Sequence, residues 1–140
     1  DDPFKKMSKS ASSELNFIAM MDTPEMIKKK ISRAVTDTQG GVTVGKDKPA
    51  ITNLITIYHL FSGDSIKDIE KRYEGKGYKE FKEDLAEVLV AFLTPFQKRF
   101  NEYMDDPAEL ITILQNGSDR ARAQAEPMMK KVKDAVGLGY

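Results

Sequence analysis

Tyr78-Lys79-Glu80-Phe81-Lys82-Glu83-Asp84-Leu85-Ala86-Glu87-Val88-Leu89-Val90-Ala91-Phe92-Leu93-Thr94-Pro95-Phe96-Gln97-Lys98-Arg99-Phe100-Asn101-Glu102-Tyr103-Met104-Asp105 is the stretch whose reading decides the fold. Phe81, Leu85, Val88, Leu89, Phe92, Phe96, Phe100 and Tyr103 recur every three or four residues, a spacing that lines them up on one face of a helix. This apolar stripe predicts the spine of a helical core. Pro95 removes one backbone hydrogen bond and its ring clashes with the preceding turn. The spine therefore either kinks near Thr94 or divides there into two helices.

The segments before the spine are also helical in pattern. Gly75 and Gly77 break the chain ahead of it, and Ser65 with Asp68 resembles a capping box that opens a short helix buried through Ile66, Ile69 and Tyr73. Pro49 opens a helix whose core face is Ile51, Leu54, Ile55, Tyr58 and Phe61, with Gly63 as its stop. Thr36 to Asp47 reads as a polar loop or hairpin. Thr23 offers a capping oxygen and Pro24 suits the first helical position, so a helix follows with Ile27, Ile31, Ala34 and Val35 inward and Lys28, Lys29, Lys30 and Arg33 outward. The brief apolar run Asn16 to Met20 predicts a strand that joins a sheet supplied elsewhere.

Beyond the spine, Asp106 and Glu109 cap a short helix that ends at Asn116-Gly117. A last helix from Ser118 to about Val136 turns Ala121, Ala125, Met128, Val132 and Ala135 inward and bends at Pro127. The expected class is mainly α: a helical bundle preceded by a loop and one short strand.

The bulk chemistry excludes several functions. With 22 basic and 22 acidic side chains in 140 residues, attraction to a polyanion has to come from local patches. The chain contains no cysteine, which excludes disulfides and thiolate zinc sites, and its lone His59 cannot build a multi-histidine metal site. The longest apolar run, Val88 to Leu93, is far short of the roughly 20 residues that span a bilayer. A start at Asp1-Asp2-Pro3-Phe4, without an initiator methionine or an apolar leader, reads as a cut inside a longer chain.

One motif carries chemistry. Lys6-Met7-Ser8-Lys9-Ser10, with Lys5 beside it, places three ammonium groups in a loop among small hydroxyls. Such a loop can clamp a polyanion: reaction at phosphorus spreads negative charge over non-bridging oxygens and pyrophosphate, and mobile cations lower that barrier. Lysine suits the task as a point charge on a flexible stem. The plain reading of the same residues is a solvated basic loop.

Four further stretches follow in order: Lys30-Ile31-Ser32-Arg33-Ala34-Val35-Thr36-Asp37, Asn53-Leu54-Ile55-Thr56-Ile57-Tyr58, Tyr73-Glu74-Gly75-Lys76-Gly77-Tyr78, and Phe81-Lys82 with Leu85-Ala86-Glu87. Together with the KMSKS pentapeptide they make the chain resemble the bacterial-type tryptophanyl-tRNA synthetases of class I, over essentially its whole length. The resemblance implies that residues 1–22 belong to a Rossmann-like α/β catalytic core and residues 23–140 to a helical tRNA-binding region. It implies catalytic roles for Lys6 and Lys9, and ATP-phosphate binding by Lys6, Met7, Ser8, Lys9 and Ser10. It implies ATP with accompanying Mg2+ as substrate, L-tryptophan held mostly upstream, tRNA(Trp) as partner, a homodimer, a cytoplasmic location, and no resident metal. Because the adenine-binding signature and tryptophan pocket of such enzymes lie upstream, the isolated piece is expected to be inactive. The pattern departs at Ala11-Ser12-Ser13-Glu14, where an acidic residue and a proline or asparagine are usual.

For tRNA contact the sequence nominates Arg72, Lys76, Tyr78 and Lys79, since cations hold phosphates while aromatics stack on splayed bases. A solvated turn with Tyr73 and Tyr78 partly in the core explains them as well. Lys28, Lys29, Lys30 and Arg33 form a second candidate patch, or merely a solvated face; Lys98 with Arg99 and Arg120 with Arg122 rank below. His59 reads as a core or rim residue and Asp37 as a helix-end or loop anchor. The rival readings are a tyrosine enzyme and a free-standing helical RNA-binding module.

Overall fold

The computed structural model describes residues 13–38 and 40–138. The described residues up to Gln97 form one compact unit and those from Lys98 onward a second, the division falling inside a helix. Among the described residues five α-helices follow one another: α1 (Pro24–Arg33), α2 (Pro49–Ser62), α3 (Ile66–Arg72), α4 (Tyr78–Asp105) and α5 (Pro107–Ala135). The mainly helical class is what the sequence led one to expect.

Local chemistry sets the helix ends. Thr23 Oγ1 accepts from the Met26 amide at 3.3 Å and starts α1. The helix stops where Ala34 turns to extended backbone, at φ −54° and ψ 138°. Val35 is therefore outside the helix and exposed, not inward as its spacing suggested. Gly63, at φ +79°, closes α2 in the left-handed conformation that a Cβ would strain, and its amide donates to the His59 carbonyl. At α3 the Ser65 hydroxyl accepts from the Asp68 amide and donates to the Asp68 carboxylate at 2.6 Å.

The core of the first unit is built from α1, α2, α3 and the first turns of α4, with Ile51, Ile55, Ile69, Phe81 and Leu85 fully buried. Phe81 stacks on Tyr58 with centroids 5.8 Å apart and meets Tyr73 edge-on at 5.2 Å. Burying side chains of this size contributes about 1.5–3 kcal/mol each. Val42 joins this core although the loop around it reads as polar. Asp37 accepts from the Ile51 amide at 2.9 Å and Glu70 from the Val44 amide at 2.8 Å, so the loop is tied to α2 and α3. Asp37 thus serves as the helix-end anchor its position suggested.

Three expectations are corrected. Among the described residues there is no strand: Ser13 caps a 3-10 turn at Glu14–Asn16, and Phe17 is extended but unpaired. An extended run needs a neighbouring ladder to satisfy its amides. Here the Ala19 amide donates instead to Asp22 Oδ2 at 2.8 Å and the Asp22 amide to the Ala19 carbonyl. Second, α5 runs unbroken through Gly117, where a helix end was expected, and at Pro95 α4 takes the undivided alternative of the two expected there. A glycine costs a helix interior only about 1 kcal/mol, less than the surrounding ladder supplies. Third, the stripe on α4 is buried only in its first half, while Phe92, Phe96 and Phe100 are largely exposed. No residue of α5 is buried, including Ala121, Ala125, Met128, Val132 and Ala135, because periodicity marks an apolar face but cannot supply the surface that covers it.

Candidate nucleic-acid interface

Ile27 and Ile31 point α1 into the core, which leaves Lys28, Lys29, Ser32 and Arg33 on its other side. Phe81 and Leu85 do the same for α4, presenting Tyr78, Lys79, Lys82, Glu83 and Glu87. These outer faces line one groove with a volume of about 1020 Å³. The structure thereby brings together Tyr78 and Lys79 from one sequence-nominated patch with Lys28, Lys29 and Arg33 from the other.

The cations in this groove are not equivalent. Lys82 donates to the carbonyls of Ala34 at 2.6 Å and Ser32 at 3.3 Å, tying α4 to the end of α1, and burial pushes its pKa below the usual lysine range. Lys28 lies 2.7 Å from Glu87, whose hydrogen bond and charge raise the lysine pKa. Lys79 is a looser 3.9 Å from Glu83. Lys29 and Arg33 form no ion pair with a described residue. Lys29, Arg33 and Lys79 are therefore the side chains with charge to offer a polyanion. Tyr78 is half-buried, its hydroxyl is enclosed without a hydrogen-bond partner among the described residues, and burial followed by the charge of Asp37 raises its pKa.

Lys30 is not part of the exposed patch. It is buried, with Nζ 2.6 Å from Asp22 Oδ2. The signal was present in the spacing, since residue 30 falls on the Ile27, Ile31, Ala34 face of a helix.

Arg72 and Lys76 lie outside the groove. Arg72 pairs with Asp64 at 2.8 Å and donates to Tyr58 Oη at 3.0 Å, and both contacts raise its pKa. Lys76 Nζ sits 5.4 Å from the centre of the Tyr73 ring. His59 Nδ1 donates to the Asp64 carbonyl at 2.6 Å, which makes it a rim residue that helps hold the α2–α3 turn. In the second unit, Lys98 pairs with Glu102 at 4.0 Å and Arg99 donates to Tyr103 Oη at 3.3 Å, whereas Arg120 and Arg122 are exposed on α5. The lysine loop, Lys6, Met7, Ser8, Lys9 and Ser10, lies outside the described residues. No described helix is long and apolar enough to cross a membrane, and no group of three or more described acidic or histidine side chains could hold a metal.

A family model described as tRNA synthetases class I (W and Y) matches residues 1–94, a range that includes every residue lining the groove. The chain belongs to this family. It is 46% identical over 140 residues to the tryptophan–tRNA ligase of Bacillus subtilis, covering 99% of this chain and 42% of that protein. It is 47% identical over 139 residues to the corresponding ligase of Listeria monocytogenes serotype 4b, with the same 99% and 42% coverage. The crystal structure of tryptophanyl-tRNA synthetase from Mycoplasma pneumoniae superposes with a TM-score of 0.82 at 28% identity, over 99% of this chain and 44% of that one. The chain thus spans about two fifths of the length of the curated relatives it matches.

Proposed function

We propose that the protein carrying this chain is a tryptophan–tRNA ligase, activating L-tryptophan with ATP to tryptophanyl-adenylate and transferring it to tRNA(Trp). The observation that supports this most strongly is near-complete coverage of the chain at 46–47% identity by proteins named tryptophan–tRNA ligase. Residues 1–22 act with the catalytic core and residues 23–140 as the helical region that meets tRNA. Lys6 and Lys9 act on the reacting phosphates, with Met7, Ser8 and Ser10 completing the loop around ATP, and Mg2+ arrives with ATP as part of the substrate. Their role follows from electrostatics: negative charge builds on the pyrophosphate as the carboxylate of tryptophan attacks the α-phosphorus, and two ammonium groups offset it.

Lys29, Arg33 and Lys79 hold tRNA phosphates in the groove, with Tyr78 at its edge; Arg72 and Lys76 add positive charge outside it. The full-length enzyme works as a cytoplasmic homodimer. The test is tryptophan-dependent exchange of pyrophosphate into ATP by the full-length protein, with tyrosine as the competing amino acid. Exchange with tryptophan, abolished by Lys6→Ala/Lys9→Ala, supports the reading. Exchange that survives both substitutions, or that prefers tyrosine, refutes it.

A further inference from the structure

Among the described residues Asp22 and Lys30 are the charged side chains that are buried, and they face each other at 2.6 Å. The same Asp22 Oδ2 accepts the Ala19 amide at 2.8 Å. Gln97 Nε2 donates to the carbonyls of both Met20 and Asp22 at 2.9 Å, and the Phe17 ring lies 5.0 Å from Lys30 Nζ. One carboxylate and one amide therefore fasten residues 17–22 to α1 and to α4 at once.

A buried ion pair is weak grounds for added stability. Removing two charges from water costs several kcal/mol per ion, and a well-packed apolar pair of the same volume is often as stable or more so. What an ion pair with directional hydrogen bonds supplies, and an apolar pair does not, is a defined backbone path. That path matters here because of what adjoins it. Asp22 stands thirteen residues after Lys9 and directly before Thr23, the cap of the helix that carries Lys29 and Arg33.

Resting on the adenylation reading above, we propose that Asp22, Lys30 and Gln97 are positioning residues: they set where the lysine-bearing segment attaches to the helical unit. The role is indirect, since none of the three is placed against substrate. Misplacing a catalytic group by about 1 Å can cost on the order of 100-fold in rate.

The test uses the full-length protein. Asp22→Leu/Lys30→Met removes both charges and leaves neither orphaned; only the Ala19 amide loses its acceptor, so the variant should fold and unfold within a few degrees of the parent. Its kcat for tryptophan-dependent pyrophosphate exchange should fall roughly 10- to 100-fold, with the KM for tryptophan unchanged. Lys9→Ala should cost much less in this background than in the parent, because groups acting through one another are not additive. Gln97→Met, which leaves the buried charges alone, should lower kcat severalfold in the same way and decides the matter if the paired variant fails to fold.

Full exchange by a folded variant, or an equal Lys9→Ala penalty in both backgrounds, overturns the proposal while leaving the adenylation reading intact. If the parent shows no tryptophan-dependent exchange, or exchange that ignores Lys6 and Lys9, the adenylation reading fails and the joint loses its role with it.

Discussion

Neutralising Lys29, Arg33 and Lys79 together should change how binding of tRNA depends on salt. Each phosphate contact releases condensed counter-ions, so the slope of log affinity against log salt is about −0.7 to −0.9 per contact. Three contacts give a slope change of about 2 to 2.7, which between 1 M and 0.15 M salt amounts to about 50- to 170-fold in affinity. The structure also supplies the control. Lys28 is engaged by Glu87 at 2.7 Å, so Lys28→Gln/Glu87→Gln removes one charge of each sign and no available cation. That pair of substitutions should leave the slope within about half a unit of the parent value. The assay is equilibrium titration of tRNA(Trp) by the full-length protein at several salt concentrations. An unchanged slope in the triple variant, or an equal change in the control pair, would refute the groove as the phosphate site.

Two further outcomes concern the first unit. Asp37→Ala removes the acceptor for the Ile51 amide, and Ile51 is fully buried. An orphaned buried donor costs about 1–3 kcal/mol. Amide exchange of the first turn of α2 should accelerate accordingly, by roughly 5- to 150-fold, and unaltered protection would show that the contact contributes nothing. Tyr73 donates to Asp84 at 2.6 Å, and burial followed by that hydrogen bond raises its pKa well above 10.0. Since the folded value is the higher one, the contribution is complete below about pH 10 and is lost as pH rises toward the folded value. Thermal melts should therefore drop through the alkaline range, and Tyr73→Phe should flatten that drop; an identical alkaline slope in the variant would contradict the sign.

The groove was half legible in the primary structure. Lys28, Lys29 and Arg33, and separately Tyr78 and Lys79, are conspicuous as basic and aromatic stretches, but nothing in a linear string says that residues about fifty apart share one wall. Nor does charge type reveal availability. Lys82 is spent on the carbonyls at the end of α1, Lys28 on Glu87, Arg72 on Asp64, and Lys30 on a buried carboxylate eight residues earlier. A cation's usefulness to a ligand depends on what already neutralises it, and that is a matter of distance in space.

Local rules were reliable wherever the governing interactions are local. Thr23-Pro24, Ser65 with Asp68, Gly63 and Asp106 mark helix ends through contacts within a few residues, and each was readable in advance. The apolar face of α2 and the early turns of α4 were equally plain, because 3.6-residue periodicity is a property of one helix. Those rules also led to a strand at Asn16–Met20, to a break after Asn116 and to a buried stripe extending to Tyr103. All three failed for one reason: pairing, folding back and burial each require a second surface, and a one-dimensional pattern states the demand for such a surface without showing whether the folded chain provides it.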